Sequence, residues 1–490
     1  MKINITYPIL LLLLLFGLNT QAQWDTTWIK TYGGNRDDQA FDVIKTTDNG
    51  FLVIGSTSSF GFDNSQMYFL KLDSAGAIMW SKSHGGSGQE SGHSVIQTTD
   101  GGFLGVGYTS SRGMGGFDLF LVKLDPNGNL EYEDSYGGID WDFAWDVQEQ
   151  NPEEYLIAGE TQSFGNGGKD GWIVKYSGAT QSVLWSKTIG TNKNEYFKAL
   201  SLDPFGNFIA AGSGFKPNRT DEDVMVTKFN TAGDTIWTKY YGDTLQDYAN
   251  DVIWMSDSNF AYTGTQFFNH DSSSVYLLKT DSSGSKIWDY HWELRILNEG
   301  MKIMEIDSQK LIIVGVEKNI YKETDFFMAR TIKNDRFFEV GIIFGGDNDE
   351  FGIGAIAHKD GFFSSFGSTS SDRGFYDILL LRVDSNFSLR ATTKEEHHED
   401  SQNILTLPKA LDNSNSVKLF YEDQNLNITI NTKGEYHLSI YSMSGQELYN
   451  KSFNEKIIVH SSFLENGLNI ICVTKPNSNF WFSKSIFVNN

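Results

Sequence analysis

The feature that most constrains this chain is a unit of about 52 residues that occurs seven times in succession. Each copy contains an apolar run that ends in glycine. These runs are Phe51–Gly55, Phe103–Gly107, Tyr155–Gly159, Phe208–Gly212, Phe260–Gly264, Leu311–Gly315 and Phe363–Gly367. A chain with this pattern is expected to fold as one supersecondary element repeated in space.

Each unit carries four short runs rich in Val, Ile, Phe and Tyr, which favour β-strands. Two connections in a unit are tight turns, such as Thr47–Gly50 and Asp73–Gly76, whose Asp, Asn and Gly residues suit hairpins. Four antiparallel strands per unit, arranged radially, predict an all-β chain folded as a seven-bladed β-propeller. A solenoid is the competing architecture, but it needs polar capping units and the sequence shows none.

The two ends of the repeat favour a closed ring. Trp28–Tyr32 has the pattern of the fourth, outermost strand of a unit, yet no first three strands precede it. The seventh copy supplies three strands and then continues into Ser388–Ala391, which lacks the expected aromatic residue. We therefore predict a propeller over residues 23–390, in which Trp28–Tyr32 completes the last blade and removes both sheet edges.

The remaining segments predict an exported protein with a second, small domain. Residues 1–22 contain a lysine, a short apolar run and a small-residue end, which predicts a secretory signal peptide cleaved after Ala22. Residues 391–416 are polar and charged, which indicates a linker. Alternating apolar residues return in residues 417–490, which predict a small Ig-like β-sandwich. No other run is long enough to span a bilayer, so no transmembrane segment is expected.

The C-terminal segment resembles the type A C-terminal sorting domain of bacterial type IX secretion. Ile440–Leu448, which includes Gly445, is similar to a strand-and-turn element of that family. Leu464–Asn469, which includes Gly467, is similar to a second element, and Lys484 lies in the last strand.

The repeats, over residues 28–384, resemble propeller repeats of secreted proteins from the same bacteria. Together these resemblances imply passage through the type IX secretion machinery to the medium or the outer cell surface. They also imply that Gly445, Gly467 and Lys484 belong to the sorting signal.

Charge and composition exclude several classes of function. The chain has 39 Lys and Arg against 62 Asp and Glu, a net charge of −23, which argues against nucleic-acid binding. Its one cysteine, Cys472, excludes an internal disulfide framework and a cysteine-based metal cluster. The sequence has no phosphate-binding loop, nucleophilic-serine motif or zinc-binding histidine pair. We therefore predict no cofactor, no metal site and no catalytic residue.

Charged residues also recur with the period of the repeat. The acids are Asp38, Glu90, Asp142, Glu195, Asp247 and Glu350, with Asn298 in the sixth copy, and the basic residues are Lys71, Lys123, Lys175, Lys228, Lys279, Arg330 and Arg382. Recurrence in nearly every blade argues against a single active site. We interpret the acids as bonded to backbone N–H groups between blades and the basic residues as structural partners.

The longer loops carry aromatic residues that are not part of the repeat. These are Trp141, Trp145, Phe62, Phe268, Tyr321 and Tyr376. Aromatic side chains beside Asn, Asp and Gly suit sugar stacking or protein recognition. The alternative is that they pack between loops, and the sequence leaves both interpretations open.

These observations favour a non-catalytic module that binds a glycan or a protein through its long-loop face. The alternative is an extracellular polysaccharide hydrolase or lyase that uses Asp140, Asp142 and Asp247 near the channel, and a scaffold without a small ligand is a third interpretation. Blades three and six depart most from the repeat, at Trp141–Trp145 and Trp292–Arg295. Neither segment contains a recognisable acid/base pair, so we rank binding first.

Overall fold

A computed structural model describes residues 28–383 and 417–488, with short internal gaps. The gaps are 62–63, 218, 270–271, 293–296, 319–323, 334–337, 345–348, 359–362, 371–374, 423–424, 431–434, 443–446, 455, 461–466 and 475–480. The predicted signal peptide, the predicted linker, Phe62, Tyr321 and Gly445 lie outside the described residues.

Strands are the only regular elements in the part of the chain that the structure describes. Within that part there is consequently no helix with the length and apolar character needed to cross a membrane.

Seven four-stranded antiparallel sheets form the blades of a β-propeller, which confirms the predicted fold. We label the strands of a blade a to d from the channel outward. Blade 1 is Asp38–Lys45, Phe51–Thr57, Gln66–Leu72 and Ile78–His84, and blade 2 is Glu90–Gln97, Phe103–Thr109, Asp118–Leu124 and Leu130–Tyr136. Blade 3 is Asp142–Asn151, Glu154–Thr161, Asp170–Ser177 and Ser182–Ile189, and blade 4 is Tyr196–Leu202, Phe208–Phe215, Glu222–Phe229 and Thr235–Tyr241. Blade 5 is Asp247–Trp254, Phe260–Asn269, Ser272–Thr280 and Lys286–Trp292, and blade 6 is Leu297–Glu305, Lys310–Lys318, Thr324–Ile332 and Phe338–Phe344. Blade 7 is Glu350–Ala357, Phe363–Ser370, Tyr376–Val383 and, from the start of the repeat, Trp28–Tyr32.

The ring is closed by strands from the two ends of the repeat. Trp28–Tyr32 pairs antiparallel with Tyr376–Val383, and strand a of blade 7 contacts strand a of blade 1. The hydroxyl of Tyr32 donates a 2.7 Å hydrogen bond to the carbonyl oxygen of Gly76 in blade 1. The pairing therefore leaves blade 7 with the same four strands as the other blades and no exposed outer edge on its strand c.

The hydrophobic core lies between neighbouring blades. Strand c of blade 1 is buried along its whole length, whereas its strand d is exposed or half-buried. One cluster joins Ile54 and Phe69 of blade 1 to Phe103 and Phe120 of blade 2. Because each blade covers the apolar face of the next, the blades stabilise one another around the ring.

The glycine that ends each recurrent apolar run has a steric cause. A Cβ on Gly55 would overlap the carbonyl oxygen of Gln39, and a Cβ on Gly107 would overlap that of Ser91. In both cases the facing strand a contains a β-bulge, which moves its backbone toward the glycine. The bulge and the glycine are therefore two parts of one local structure, and the bulge also determines which residues reach the channel.

The C-terminal segment forms two antiparallel sheets. One has three strands in the order Val417–Glu422, Asn425–Ile430 and Lys456–His460. The other has four strands in the order Glu447–Asn454, Glu435–Ser442, Gly467–Thr474 and Trp481–Val488, so Gly467 and Lys484 lie in strands. That these sheets make an Ig-like sandwich stays a prediction.

Candidate functional site

The β-bulge in each strand a places one extra residue at the same level of the ring. From blade 1 to blade 7 these residues are Phe41, His93, Trp145, Lys198, Asn250, Met301 and Ile353. They lie near the start of strand a, toward the face that carries the longer b–c and d–a loops. This ring therefore lines the mouth of the channel on the long-loop face.

Blades 1 to 3 build a continuous surface of ring side chains at this mouth, which we call the aromatic wall. Its members are Phe41, His93, Tyr108, Phe117, Trp141, Phe143 and Trp145. The centroid of His93 lies 4.6 Å from that of Phe41 and 4.5 Å from that of Trp145. Trp141, at the outer end, is 49% exposed, and the other members are half-buried.

A lysine from blade 4 ends the aromatic wall. The ammonium of Lys198 lies 3.2 Å from the ring centroid of Trp145, a close cation–π contact. Burial lowers the pKa of Lys198 to about 8, while the nearby Glu160 carboxylate opposes that shift. Glu160 is itself paired with Lys169 at 2.8 Å. The wall thus has an apolar surface with a positive charge at one end and an acid close to it.

His93 remains neutral inside this stack. Burial is the main cause of its low pKa, about 3, and the charge of Lys198 contributes in the same direction. A neutral imidazole can lie against Phe41 and Trp145 without the cost of a buried charge. At pH 7 His93 is therefore a ring of the wall and not a proton donor.

A second cluster lies one residue further along strand a, and we call it the channel tier. It contains Asp42, Ser94, Asp146, Asp251 and Lys302. The ammonium of Lys302 is 3.6 Å from Oδ1 of Asp42 and 3.9 Å from Oδ1 of Asp251. Burial alone lowers the pKa of Lys302, but the three carboxylates outweigh it and raise that pKa. The ring thus surrounds one internal cation with three acids.

The carboxylates of the channel tier also join the blades. Backbone N–H groups of the next blade donate to them, from Val95 to Asp42 at 3.1 Å and from Leu200 to Asp146 at 2.6 Å. The Ser94 hydroxyl donates to the other oxygen of Asp146 at 2.8 Å. These contacts leave the acids fully engaged in structure.

A cavity of about 780 Å³ begins at the channel tier and extends toward the tight a–b turns. Its walls are mainly aliphatic and include Val43, Val95, Val147 and Val252. The channel therefore has a polar middle, an aliphatic end and an aromatic mouth.

The recurring acids have the structural role that the sequence indicates. Five of the six acids accept a hydrogen bond from a backbone N–H of the d–a loop that connects two blades, for example from Gly138 to Asp142 at 2.7 Å and from Asp243 to Asp247 at 2.9 Å. Asp142 also accepts hydrogen bonds from the hydroxyls of Thr161 and Ser163.

The recurring lysines of strand c are paired as well. Lys71 lies 2.8 Å from Asp48 and Lys123 lies 2.9 Å from Asp100, and both acids belong to the a–b turn of the same blade. Each lysine therefore fixes one tight turn.

The structure places the predicted ligand-binding residues in different settings. Trp141 lies in a d–a loop, as expected, but Trp145, Phe268 and Tyr376 lie in strands, so their assignment to loops is wrong. Trp141 and Trp145 share the aromatic wall. Phe268 instead contacts His291 in blade 5, and Tyr376 contacts Phe351 in blade 7. Their part in binding stays a prediction.

Sequence reasoning missed six members of this site, which are Phe41, His93, Tyr108, Phe117, Phe143 and Lys198. The available signal was the spacing, because Phe41, His93, Trp145 and Lys198 follow one another by about 52 residues, like the other columns. The position was not recognised as part of the repeat because the four side chains differ in chemistry.

The carboxylates proposed for catalysis do not form an accessible pair. Asp142 and Asp247 are fully buried, whereas Asp140 is exposed in its loop. Glu293, Leu294 and Arg295 of the divergent sixth blade lie outside the described residues. Within the described residues no group of three or more His, Cys, Asp or Glu side chains could hold a metal ion.

Comparison with known proteins adds little to this geometry. No family model matches the chain, and no curated protein matches it. The fold defines a seven-bladed β-propeller, and several solved structures are similar to it. One is a puromycin hydrolase, 11% identical with a TM-score of 0.44, covering 81% of this chain and 59% of that one.

Two further examples are enzymes of other kinds. An ancestral GH74 enzyme is 10% identical with a TM-score of 0.38, covering 92% of this chain and 57% of that one. A PQQ-bound aldose sugar dehydrogenase from Streptomyces coelicolor is 10% identical with a TM-score of 0.35, and the match covers 63% of this chain and 98% of that one. At these identities and scores the similarities carry no inference about function.

Proposed function

We propose that this protein is an exported, non-catalytic binding module that takes a glycan at the aromatic wall. The observation that carries the proposal is the run of seven touching rings from half-exposed Trp141 to Trp145 under Lys198. Small-ligand sites commonly combine apolar and aromatic area, which gives affinity, with a few polar groups that give orientation.

The chemistry of a sugar ring fits this arrangement. A pyranose presents C–H groups on one face, which pack against an aromatic ring, and hydroxyls at its edge. Lys198 lies against Trp145 and can donate to those hydroxyls. The wall continues from a d–a loop to strand a as a row of rings, which suits a chain of sugars stacked along it better than a flat protein surface. A protein partner is therefore an outcome of the test and not the proposal.

The absence of catalysis is part of the same proposal. In the described residues Glu160 is paired with Lys169, Asp142 is buried, Asp140 is exposed without a second carboxylate facing it, and His93 is held neutral within the ring stack. A hydrolase or lyase needs an accessible acid and base on either side of the scissile bond.

The test is a panel of polysaccharides and oligosaccharides applied to the full chain, with retention and released product measured in the same wells. We expect retention without product. Trp145→Ala should abolish retention, while Phe205→Ala, which removes a 79% exposed aromatic side chain from an a–b turn on the opposite face, should not. Released product from the wild type would show that the protein is an enzyme. Binding to proteins but to no glycan would show that the ligand is a protein.

The same proposal includes the route of export. Residues 1–22 would direct the chain across the inner membrane, and residues 417–490 would engage the type IX secretion machinery, with the propeller over 23–390 as cargo and 391–416 as linker. Support comes from the sequence resemblance at Gly445, Gly467 and Lys484. Deletion of residues 417–490 should leave the protein in the periplasm, and normal export of the truncated chain would contradict this route.

A further inference from the structure

Pairs of side chains meet wherever two blades join on the long-loop face. A residue at or next to the start of strand c in one blade approaches an acid at or just before the start of strand a in the next blade, and a glycine of the d–a loop lies between them. Four such pairs are Gln66 with Glu90, Asp118 with Asp142, Asp170 with Glu195, and Asp223 with Asp247. A Cβ on the intervening glycine would touch oxygens of both side chains, so the two groups share one small space.

One junction shows how such a pair is satisfied without help from outside the chain. Gln66 carries an amide, which donates to Oε2 of Glu90 at 3.1 Å and to the carbonyl oxygen of Gly86 at 3.0 Å. The neutral amide supplies the donor that a buried carboxylate needs. This pair therefore needs no additional partner.

The junction between blades 2 and 3 has two carboxylates and no amide, and only Asp142 is satisfied, by the N–H of Gly138 and the hydroxyls of Thr161 and Ser163. Asp118 is fully buried, and neither of its oxygens makes a hydrogen bond within the described residues. The nearby N–H of Met114 affects its pKa less than burial and the charge of Asp142 do, and the pKa rises to about 6. Asp118 Oδ1 and Asp142 Oδ2 both lie against Gly137.

The junction between blades 4 and 5 repeats this arrangement. Oδ1 of Asp223 and Oδ1 of Asp247 are buried without a hydrogen bond, and both side chains lie against Gly242. Burial is the main cause that raises the pKa of Asp247 to about 7, and Asp243, Asp223 and Asp221 add to it. Burial raises the pKa of Asp223, and the charge of Arg219 opposes that rise. The guanidinium of Arg219 is, however, hydrogen-bonded to Asp221.

We propose that the Asp118/Asp142 junction and the Asp223/Asp247 junction each bind one calcium ion. In each junction one acid, Asp118 or Asp223, presents a buried oxygen without a hydrogen bond to a second carboxylate, and a cation supplies the missing positive charge. The available ligands are oxygens only, which selects a hard cation over zinc or copper. Calcium accepts a flexible mixture of carboxylates, backbone carbonyls and water, so two side chains per site are sufficient.

The first site lies directly under the aromatic wall. Phe117 precedes Asp118 and Trp141 precedes Asp142, and the two rings are 5.6 Å apart. A cation between the acids would fix the b–c loop of blade 2 against the d–a loop that carries Trp141. The calcium sites rest on their own observations and do not depend on whether the wall binds a glycan.

The test is calcium binding to the full chain after removal of metals with EDTA and dialysis. Titration calorimetry should detect two ions per chain, and the midpoint of thermal unfolding should rise by about 5 °C at 100-fold excess over Kd. Asp118→Asn should bind one ion fewer. Asp140→Asn, the same change at an exposed neighbour, should bind as the wild type does.

Asp223→Asn gives an independent version of the same test if Asp118→Asn does not fold. It too should remove one ion. The proposal is overturned if the wild type binds no calcium at millimolar concentration, if KCl of equal ionic strength gives the same stabilisation, or if both Asn variants bind as many ions as the wild type.

Discussion

Two groups of buried carboxylates in this propeller differ in how their charge is balanced. The channel tier places Asp42, Asp146 and Asp251 around the ammonium of Lys302. The junctions of blades 2–3 and 4–5 place Asp118 beside Asp142 and Asp223 beside Asp247 with no lysine between them. The acids of both groups are buried and recur around the same ring, yet only the first group carries its own counter-ion.

This difference shows which partners of a buried carboxylate can be present in every blade of a repeat and which cannot. A carboxylate that accepts backbone N–H groups can recur in every blade, because each blade supplies its own donors. One lysine, in contrast, can balance the carboxylates of three blades only near the axis, because the strands of those blades converge there. The junctions lie further from the axis, so each of them needs its own solution, an amide at Gln66 or, as we propose, an external cation.

The largest effect should come from Lys302→Met, which keeps the length of the side chain and removes the only cation of the channel tier. Three buried acids would remain, so we expect a loss of about 3–5 kcal/mol in the free energy of unfolding. Urea denaturation measures it. Lys286→Met, which breaks an exposed pair with Asp289, should cost less than about 1 kcal/mol. Equal losses in both variants would remove the distinction between the two settings.

Gln66→Glu should convert the satisfied junction of blades 1 and 2 into one like that of blades 2 and 3. The variant loses the donor to Glu90 and adds a buried charge, so we expect a loss of about 2–3 kcal/mol in metal-free buffer. Gln246→Glu makes the same change opposite Glu222 at an exposed position. It should alter stability by about 0.5 kcal/mol. An unchanged unfolding curve for Gln66→Glu would show that these junctions tolerate two carboxylates unaided.

His93 shows a third way to accommodate a buried titratable group, which is to keep it neutral. Its pKa is about 3 in the folded protein, below the ordinary 6.5, so the unfolded chain takes up the proton first. The stability linked to His93 is thus present above pH 6.5 and is lost as the pH falls. Between pH 7 and pH 5 the loss amounts to about 2 kcal/mol. His93→Phe should reduce the decrease in unfolding free energy over this range by that amount, and an unaltered pH profile would contradict the assignment.

Thr109→Val should give the smallest effect. The Thr109 hydroxyl donates to Oε1 of buried Glu90 at 2.8 Å, while Gly86 and Gln66 still serve the other oxygen. We therefore expect a loss of about 1 kcal/mol in chemical denaturation. Thr99→Val removes a similar bond to exposed Glu149 and should be nearly neutral. A cost at Thr99 equal to that at Thr109 would show that burial of the acid is not what matters.

The repeat made the fold predictable in detail. The period of about 52 residues gives the number of blades, and the unmatched strand Trp28–Tyr32 indicates which strand pairs with Tyr376–Val383. Tight turns follow from local Asp, Asn and Gly residues. Each of these features depends on a short stretch of chain or on its repetition, so no knowledge of distant contacts is needed.

The site was less predictable because it depends on the exceptions to the repeat. The bulge at Trp145 adds one residue to strand a and turns that side chain to the channel, so a loop was the wrong expectation. Lys302 stands in a column that holds Asp42, Ser94 and Asp146 in other blades, and only closure of the ring brings it among them. Unpaired oxygens at Asp118 likewise become visible only when the neighbours of both loops are known.

The most direct test of the proposed function is the affinity of one retained oligosaccharide for the full chain, followed by tryptophan fluorescence. The wall predicts that Trp145→Ala raises Kd at least about 10-fold, since truncation of a central aromatic anchor commonly costs more than 1 kcal/mol, while Phe205→Ala leaves Kd unchanged. A folded Trp145→Ala variant that binds as tightly as the wild type would contradict the placement of the ligand at the aromatic wall.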